Sequence, residues 1–359
     1  MRSWWCCLGV LAAACADPCE RPGALCTVAG ELGTNGFNGD GLPARRTWLY
    51  YPSAISFDAA GRLWVDDFNN MRIRRLDDDG HLRTEAGNGT HAYATPGAPF
   101  LDSALENPVD IALDGSDALH IAELHSGRIL KLGDPALGIQ VVAGDGNVGF
   151  AGDDGPAIAA SFSEAAGVTV DADGVIYVSD TENHRIRAVG VDGIVRTIAG
   201  DGSPGFVDGT PGRLTSPQRL RHHDGALYIA DAGNHAVRRL ELATGVLSTL
   251  AGTGSSGRAE PGDAAVGSPL QEPYGVWPEA DGGVLIAESA GHRIVRVTPE
   301  GVLEVLAGTG VSGSEGDGED ALTAELSFPV DVRRGPDGAV WIADLRNGAV
   351  RRIVPEEAP

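Results

Sequence analysis

Acids, imidazoles and thiols are the side chains that could carry chemistry in this chain, and each group shows a pattern. Six acids, Asp66, Glu123, Asp180, Asp231, Glu288 and Asp344, follow short β-prone runs, and His184, His235 and His292 come four residues after three of them. Such residues bind a metal only where side chains from separate copies converge. Recurrence itself fits a simpler role, in which each carboxylate caps its own turn and pairs with an arginine such as Arg187 or Arg238. Loop acids at Asp153-Asp154 and at Asp317, Glu319 and Asp320 offer oxygen ligands to calcium, but no loop has the EF-hand spacing. Gly-x-Gly-x-x-Gly occurs four times, beginning at Gly144, Gly200, Gly252 and Gly308. A dinucleotide site needs a helix after that motif and an acid about 20 residues on. Here more glycine follows, then a strand, so the motif reads as a loop.

All five cysteines precede residue 27 (Cys6, Cys7, Cys15, Cys19 and Cys26), which removes thiol catalysis and cysteine-ligated zinc from the body of the chain. The single lysine, Lys131, leaves no phosphate-cradling or Schiff-base lysine elsewhere. Arg2 followed by the apolar stretch from Trp4 to Ala14 reads as an export signal within residues 1–16, too short for a permanent span. Leu11-Ala12-Ala13-Ala14-Cys15 resembles a lipoprotein signal with Cys15 as the lipidated residue, and cleavage after Ala16 is the rival reading. Either removes Cys6 and Cys7 and leaves Cys19 and Cys26 as a disulfide pair in a short leader, residues 17–26. The net charge of −23 opposes binding to nucleic acid or to anionic headgroups by charge, leaving a lipid as the one membrane attachment.

The elements that position these residues form a repeat. An Ala-Gly pair after a β-prone run recurs at Gly30, Gly87, Gly144, Gly200, Gly252 and Gly308. Between these anchors come a Gly-rich loop, a first strand opening at Pro52, Pro108, Ala165, Pro217, Pro273 or Pro329, and three more short strands with the acidic turn between the second and third. Four strands per unit with turn chemistry between them describe a propeller blade. The sixth copy stops after its third strand, near Ile353, and the unmatched strand is Leu25 to Ala29, so the N-terminal strand is expected to complete the last blade and close the ring.

The strings Ile176-Tyr177-Val178-Ser179-Asp180-Thr181-Glu182-Asn183-His184-Arg185 and Leu227-Tyr228-Ile229-Ala230-Asp231-Ala232-Gly233-Asn234-His235 resemble the core of an NHL repeat. The resemblance runs over residues 27–359 and implies an all-β, six-bladed NHL propeller of the bacterial exported type. Related propellers that act as gluconolactonases or amidating lyases carry metal ligands just after the first-strand proline. Here those positions are Ser53, Val109, Ala166, Gln218, Tyr274 and Val330, so no metal ligand is assigned. One residue on, Asp110, Arg219 and Asp331 break the repeat and form the candidate polar cluster at the channel. The expected protein is a monomeric binding or scaffold module at the cell envelope, without catalytic residues or cofactor, for a protein, peptide or glycan. Its rival is a metal-dependent hydrolase or lyase at the channel mouth. The Phe37, Phe150 and Phe206 side chains are expected to anchor the Gly-rich loops. If Cys15 carries lipid, Cys15→Ala should move the protein from the membrane to the soluble fraction, as read by fractionation; a wild-type protein already soluble and beginning at Asp17 would show simple secretion.

Overall fold

The computed structural model describes residues 18–355; the expected export segment and Cys15 lie outside the described residues. Six antiparallel sheets form the ring. Their innermost strands are Pro52–Phe57, Pro108–Leu113, Ala165–Val170, Pro217–His223, Pro273–Pro278 and Pro329–Arg334, which open blades 1 to 6 in that order. Blade 3 is representative: Ala165–Val170, Ile176–Asp180, Arg185–Val189 and Val195–Ala199 run from the axis outward. Strands alternate because each side chain meets one of two neighbouring blades, and the buried aliphatic clusters lie between blades.

Leu25–Ala29 is the outer strand of blade 6, paired antiparallel to Ala349–Ile353 with Leu25 opposite Ile353. The closure expected from the strand count is therefore present. Cys19 and Cys26 form a disulfide that ties the preceding turn to this strand.

The Ala-Gly anchors have a steric cause. In every blade the acidic turn ends in a left-handed residue or a glycine: Met71, Gly127, His184, His235, His292 and Gly348. The anchor glycine of the same ring position, itself at positive φ, packs on that residue's carbonyl, and a Cβ at any of the six would overlap the oxygen.

A buried arginine holds each blade. In blades 1, 3, 4 and 6, Arg74, Arg187, Arg238 and Arg351 are fully buried and reach Asp67, Asp180, Asp231 and Asp344, seven residues earlier, at 2.9–3.5 Å. Their other partners are loop acids, Asp40, Asp153, Asp208 and Asp317. Phe37, Phe150 and Phe206 lie under the guanidiniums of Arg74, Arg187 and Arg238. Blade 1 corrects the sequence reading. Asp67, not Asp66, occupies the turn position, bonded by the Asn70 amide as Asp180 is by Asn183. Blades 2 and 5 use Glu123 with Arg128 and Glu288 with Arg293, a spacing of five. The extra methylene of Glu matches an arginine two residues closer.

Burial pushes the carboxyls of Asp67, Asp180, Asp231 and Asp344 up to about 6, against the pull of their hydrogen bonds and arginines. A carboxyl raised in the folded state contributes stability that is complete below its ordinary value and lost as pH rises through about 6. His120 opposes this: burial holds its imidazole down to about 4, so its contribution is lost as pH falls from 6.5 towards 4. His292 is likewise held down by its burial and by Arg346, and the four carboxyls outweigh the two imidazoles. The melting temperature should therefore be higher at about pH 5 than at about pH 7.5, and thermal melts across that range would show the opposite slope if the turn acids were ionised throughout.

Candidate functional site: the central channel and its two mouths

Successive residues of the six innermost strands make rings around the axis. The second ring reads Ala54, Asp110, Gly167, Arg219, Gly275 and Asp331, so charged and small residues alternate blade by blade. Small residues are required there: a Cβ on Gly167 would come within 2.7 Å of the Gln218 carbonyl, and one on Gly275 within 2.8 Å of the Val330 carbonyl. Two residues further along, the same faces present Ser56, Ala112, Thr169, Arg221, Trp277 and Arg333.

These two rings interlock as a plug. Asp110, Arg219 and Asp331 do converge, with Arg219 Nε 3.7 Å from Asp110 and 4.0 Å from Asp331. The tighter partner is Arg221, which the sequence reading did not single out. It donates Nη1 to Asp110 Oδ2 at 2.9 Å and Nη2 to Asp110 Oδ1 at 3.0 Å, and reaches Asp331 Oδ1 at 3.2 Å. Arg333 adds a contact to Asp331 at 3.5 Å, donates to Ser56 Oγ and the Ile111 carbonyl, and lies over the Trp277 ring. Each aspartate also accepts a backbone N–H from the next blade, Val168 to Asp110 and Ile55 to Asp331, both at 3.0 Å. Arg219 Nη2 donates to the carbonyls of Ser53 and Val109. All five side chains are buried, and together they bind blades 1, 2, 3, 4 and 6 across the axis.

Asp66 is a sixth member, set in the second strand of blade 1. It is fully buried, and burial together with the Asp110 carboxylate holds its carboxyl well above the ordinary range despite Arg219. The paired Asp110 stays below its ordinary value, because Arg221 and Arg219 offset its burial.

Two mouths open on either side of the plug. The first, a cavity of about 210 Å³ at the proline end, is walled by Tyr51, Phe68, Leu124, Tyr274, Phe328 and Val330, with Arg219, Ser53 and Gln218 below and Glu164 at the side. Tyr274 and Phe328 meet edge to face with centroids 5.9 Å apart. The residue before each innermost strand is left-handed in all six blades: Tyr51, Asn107, Glu164, Ser216, Glu272 and Phe328. Three of these line the mouth. The second mouth, about 390 Å³, is lined by Arg221, Arg333, Trp277, His222, Thr169 and Phe57.

The three histidines stay apart. His184, His235 and His292 each accept through Nδ1 a backbone N–H of the following blade, from Ser216, Glu272 and Phe328, at 3.1–3.3 Å. They therefore set the left-handed rim residues rather than meet one another. The loop acids named for calcium face cations and hydroxyls: Asp153 accepts from Arg187 and Thr197, and Asp317 from Thr27, Arg45 and Arg351.

The sheet order and the closed ring define a six-bladed β-propeller. In blade 3 the pattern of the family described as NHL repeat matches residues 162–188, so the propeller carries an NHL repeat there. It is 25% identical to mouse teneurin-1 over 390 residues, covering 94% of this chain and 14% of that protein. It is 33% identical to human NHL repeat-containing protein 2 over 104 residues, covering 28% of this chain and 14% of that one. The chain thus spans a small part of these relatives. Among solved structures, an auxiliary nutrient binding protein from Bacteroides thetaiotaomicron superposes with a TM-score of 0.66 at 14% identity, covering 91% of this chain and 75% of that one. A streptogramin B lyase superposes with a TM-score of 0.53 at 17% identity, covering 87% and 95%. Both share the fold.

Arg221 is the group on which the plug's two aspartates most depend. Arg221→Ala should lower stability by about 3–5 kcal/mol, since it leaves two buried carboxylates facing each other with only the longer contacts of Arg219 and Arg333 to balance their charge. Arg219→Ala, whose contacts to the aspartates are longer, should cost less. Urea melts that rank the two variants the other way would overturn this assignment of weight.

Proposed function

We propose that this propeller is a non-catalytic recognition module whose first mouth binds an exposed group of a protein, peptide or glycan. One observation carries the reading: a constant ring of left-handed rim residues presents side chains of varied type (Tyr, Asn, Glu, Ser, Glu and Phe), three of them around an aromatic-walled cavity that ends on the arginine plug. Constant backbone with variable side chains suits recognition, and half-buried aromatic walls suit a sugar face or an apolar side chain. The plug carboxylates Asp110 and Asp331 are each engaged by arginine and backbone N–H, which supports positioning rather than acid–base work. The name of the nutrient-binding neighbour supports the same direction, although the likeness itself extends to fold alone. Secretion or lipid anchoring through Cys15, at a bacterial envelope, would place such a module before external ligands.

Glycan and peptide arrays probed with the purified chain test this. A ligand should emerge whose affinity falls at least tenfold in Tyr274→Ala while the melting temperature of that variant stays within a few degrees of wild type. Turnover of a lactone or ester substrate, lost in the same variant, would show instead the lyase- or lactonase-like activity of other propellers.

A further inference from the structure

Away from the channel, blade 2 carries three side chains that no other blade has at those positions. His91 lies in the Gly-rich loop, Glu106 leads into the innermost strand, and His125 sits in the acidic turn. Their ligand atoms all lie within 4.8 Å of one another. His91 Nε2 is 2.9 Å and His125 Nδ1 3.5 Å from one and the same oxygen, Glu106 Oε1. A tetrahedral ion with bonds of about 2.0–2.1 Å separates its ligands by about 3.3 Å, so the His91 contact must open slightly, the His125 contact is near the needed spacing, and the two imidazoles draw together around the ion.

The surroundings are those of a built site. Glu106 is buried, and its other oxygen accepts the Ser126 backbone N–H at 2.9 Å, which fixes the carboxylate with Oε1 turned to the imidazoles. His125 Nδ1 also lies 3.1 Å from Asn107 Oδ1, a contact that this nitrogen gives up when it loses its proton to take a metal. Both imidazoles are about half exposed, so a fourth position faces solvent.

The repeat shows that the scaffold brings these positions together whatever occupies them. The bridge between His91 and Leu105 recurs as Val148 with Phe162, Ser256 with Leu270 and Ser312 with Leu326. The residues after those partners are Ser163, Gln271 and Ser327, and in blade 6 the equivalents Ser312 and Ser327 hydrogen-bond at 2.9 Å. Where His125 stands, the other blades carry Asn69, Glu182, Gly233, Ala290 and Arg346. Only blade 2 fills all three places with ligand atoms.

We propose that His91, Glu106 and His125 bind a divalent transition-metal ion of the zinc class, with the fourth position open. Two imidazoles and one carboxylate select such an ion over calcium or magnesium, which take oxygen ligands. The site is on the rim side of blade 2, where Leu124, next to His125, lines the first mouth.

Protein stripped by chelation and dialysed, then titrated with zinc sulfate by calorimetry, should take up one equivalent per chain. Cobalt(II) in its place should give the visible absorption of a four- or five-coordinate site. His91→Ala and His125→Ala should each weaken zinc binding by at least about tenfold, the scale on which metal sites respond to their supporting residues. Because both imidazoles are solvent-facing, the metal-free melting temperatures of the variants should match wild type, which separates lost ligation from lost fold. Absence of zinc uptake, equal uptake in both variants, or preference for calcium would overturn the site.

Discussion

The guanidinium buried in each blade is the interaction on which the rest depends. A fully buried arginine cannot shed its proton, so its surroundings must supply acceptors to the guanidinium. In four blades these are an aspartate in the strand turn, an aspartate in the Gly-rich loop and backbone carbonyls, with an aromatic ring beneath in three. That one requirement fixes the turn, pulls the loop down over the blade, and explains why loops rich in glycine are ordered. The exchange of Asp for Glu in blades 2 and 5 shows how strictly the charge must be reached: when the arginine moves two residues along the strand, the acid lengthens.

At the axis the same chemistry works between blades. Six strands leave a channel too wide for small side chains to fill and too narrow for six large ones, hence the alternation of Ala54, Gly167 and Gly275 with Asp110, Arg219 and Asp331. Below it, Arg221, Trp277 and Arg333 fill one half of the ring against Ser56, Ala112 and Thr169 in the other. The plug is therefore lopsided, and its arginines reach across to blades far away in sequence, as Arg219 does to Ser53. Rigidity at the centre leaves variation to the rims.

Much of this was legible in the sequence, because a repeat makes its own alignment. The blade count, the closing strand and the residues breaking the repeat at the second ring could all be read from periodicity. Asp66 could not: the Asp66-Asp67 pair let the turn position slip by one, hiding a buried acid whose equivalents are Ser179, Ala230 and Ala343. Arg221 and Arg333 do not stand out from periodicity, because strand alternation brings residues two apart to the same axis and the charges meet across two rings rather than within one. The His91, Glu106 and His125 cluster has no linear motif. Its members come from a loop, a strand lead and a turn, and only the fold of one blade sets them side by side.

Closure by the strand Leu25–Ala29 has a mechanical consequence. Leu25 and Ile353 face each other at one end of an antiparallel pair, and the bonds just beyond, between Gly23 and Val354 and between Val354 and Ala24, continue the ladder outward. Both ends of the described chain therefore leave the ring at the same corner of the same blade. A force drawing them apart does not shear the ladder but peels it, and the Cys19–Cys26 link passes that tension from Cys19 straight to Cys26, so the load enters the strand at the Cys26–Arg352 pair. The propeller resists heat as a ring and tension as a zip.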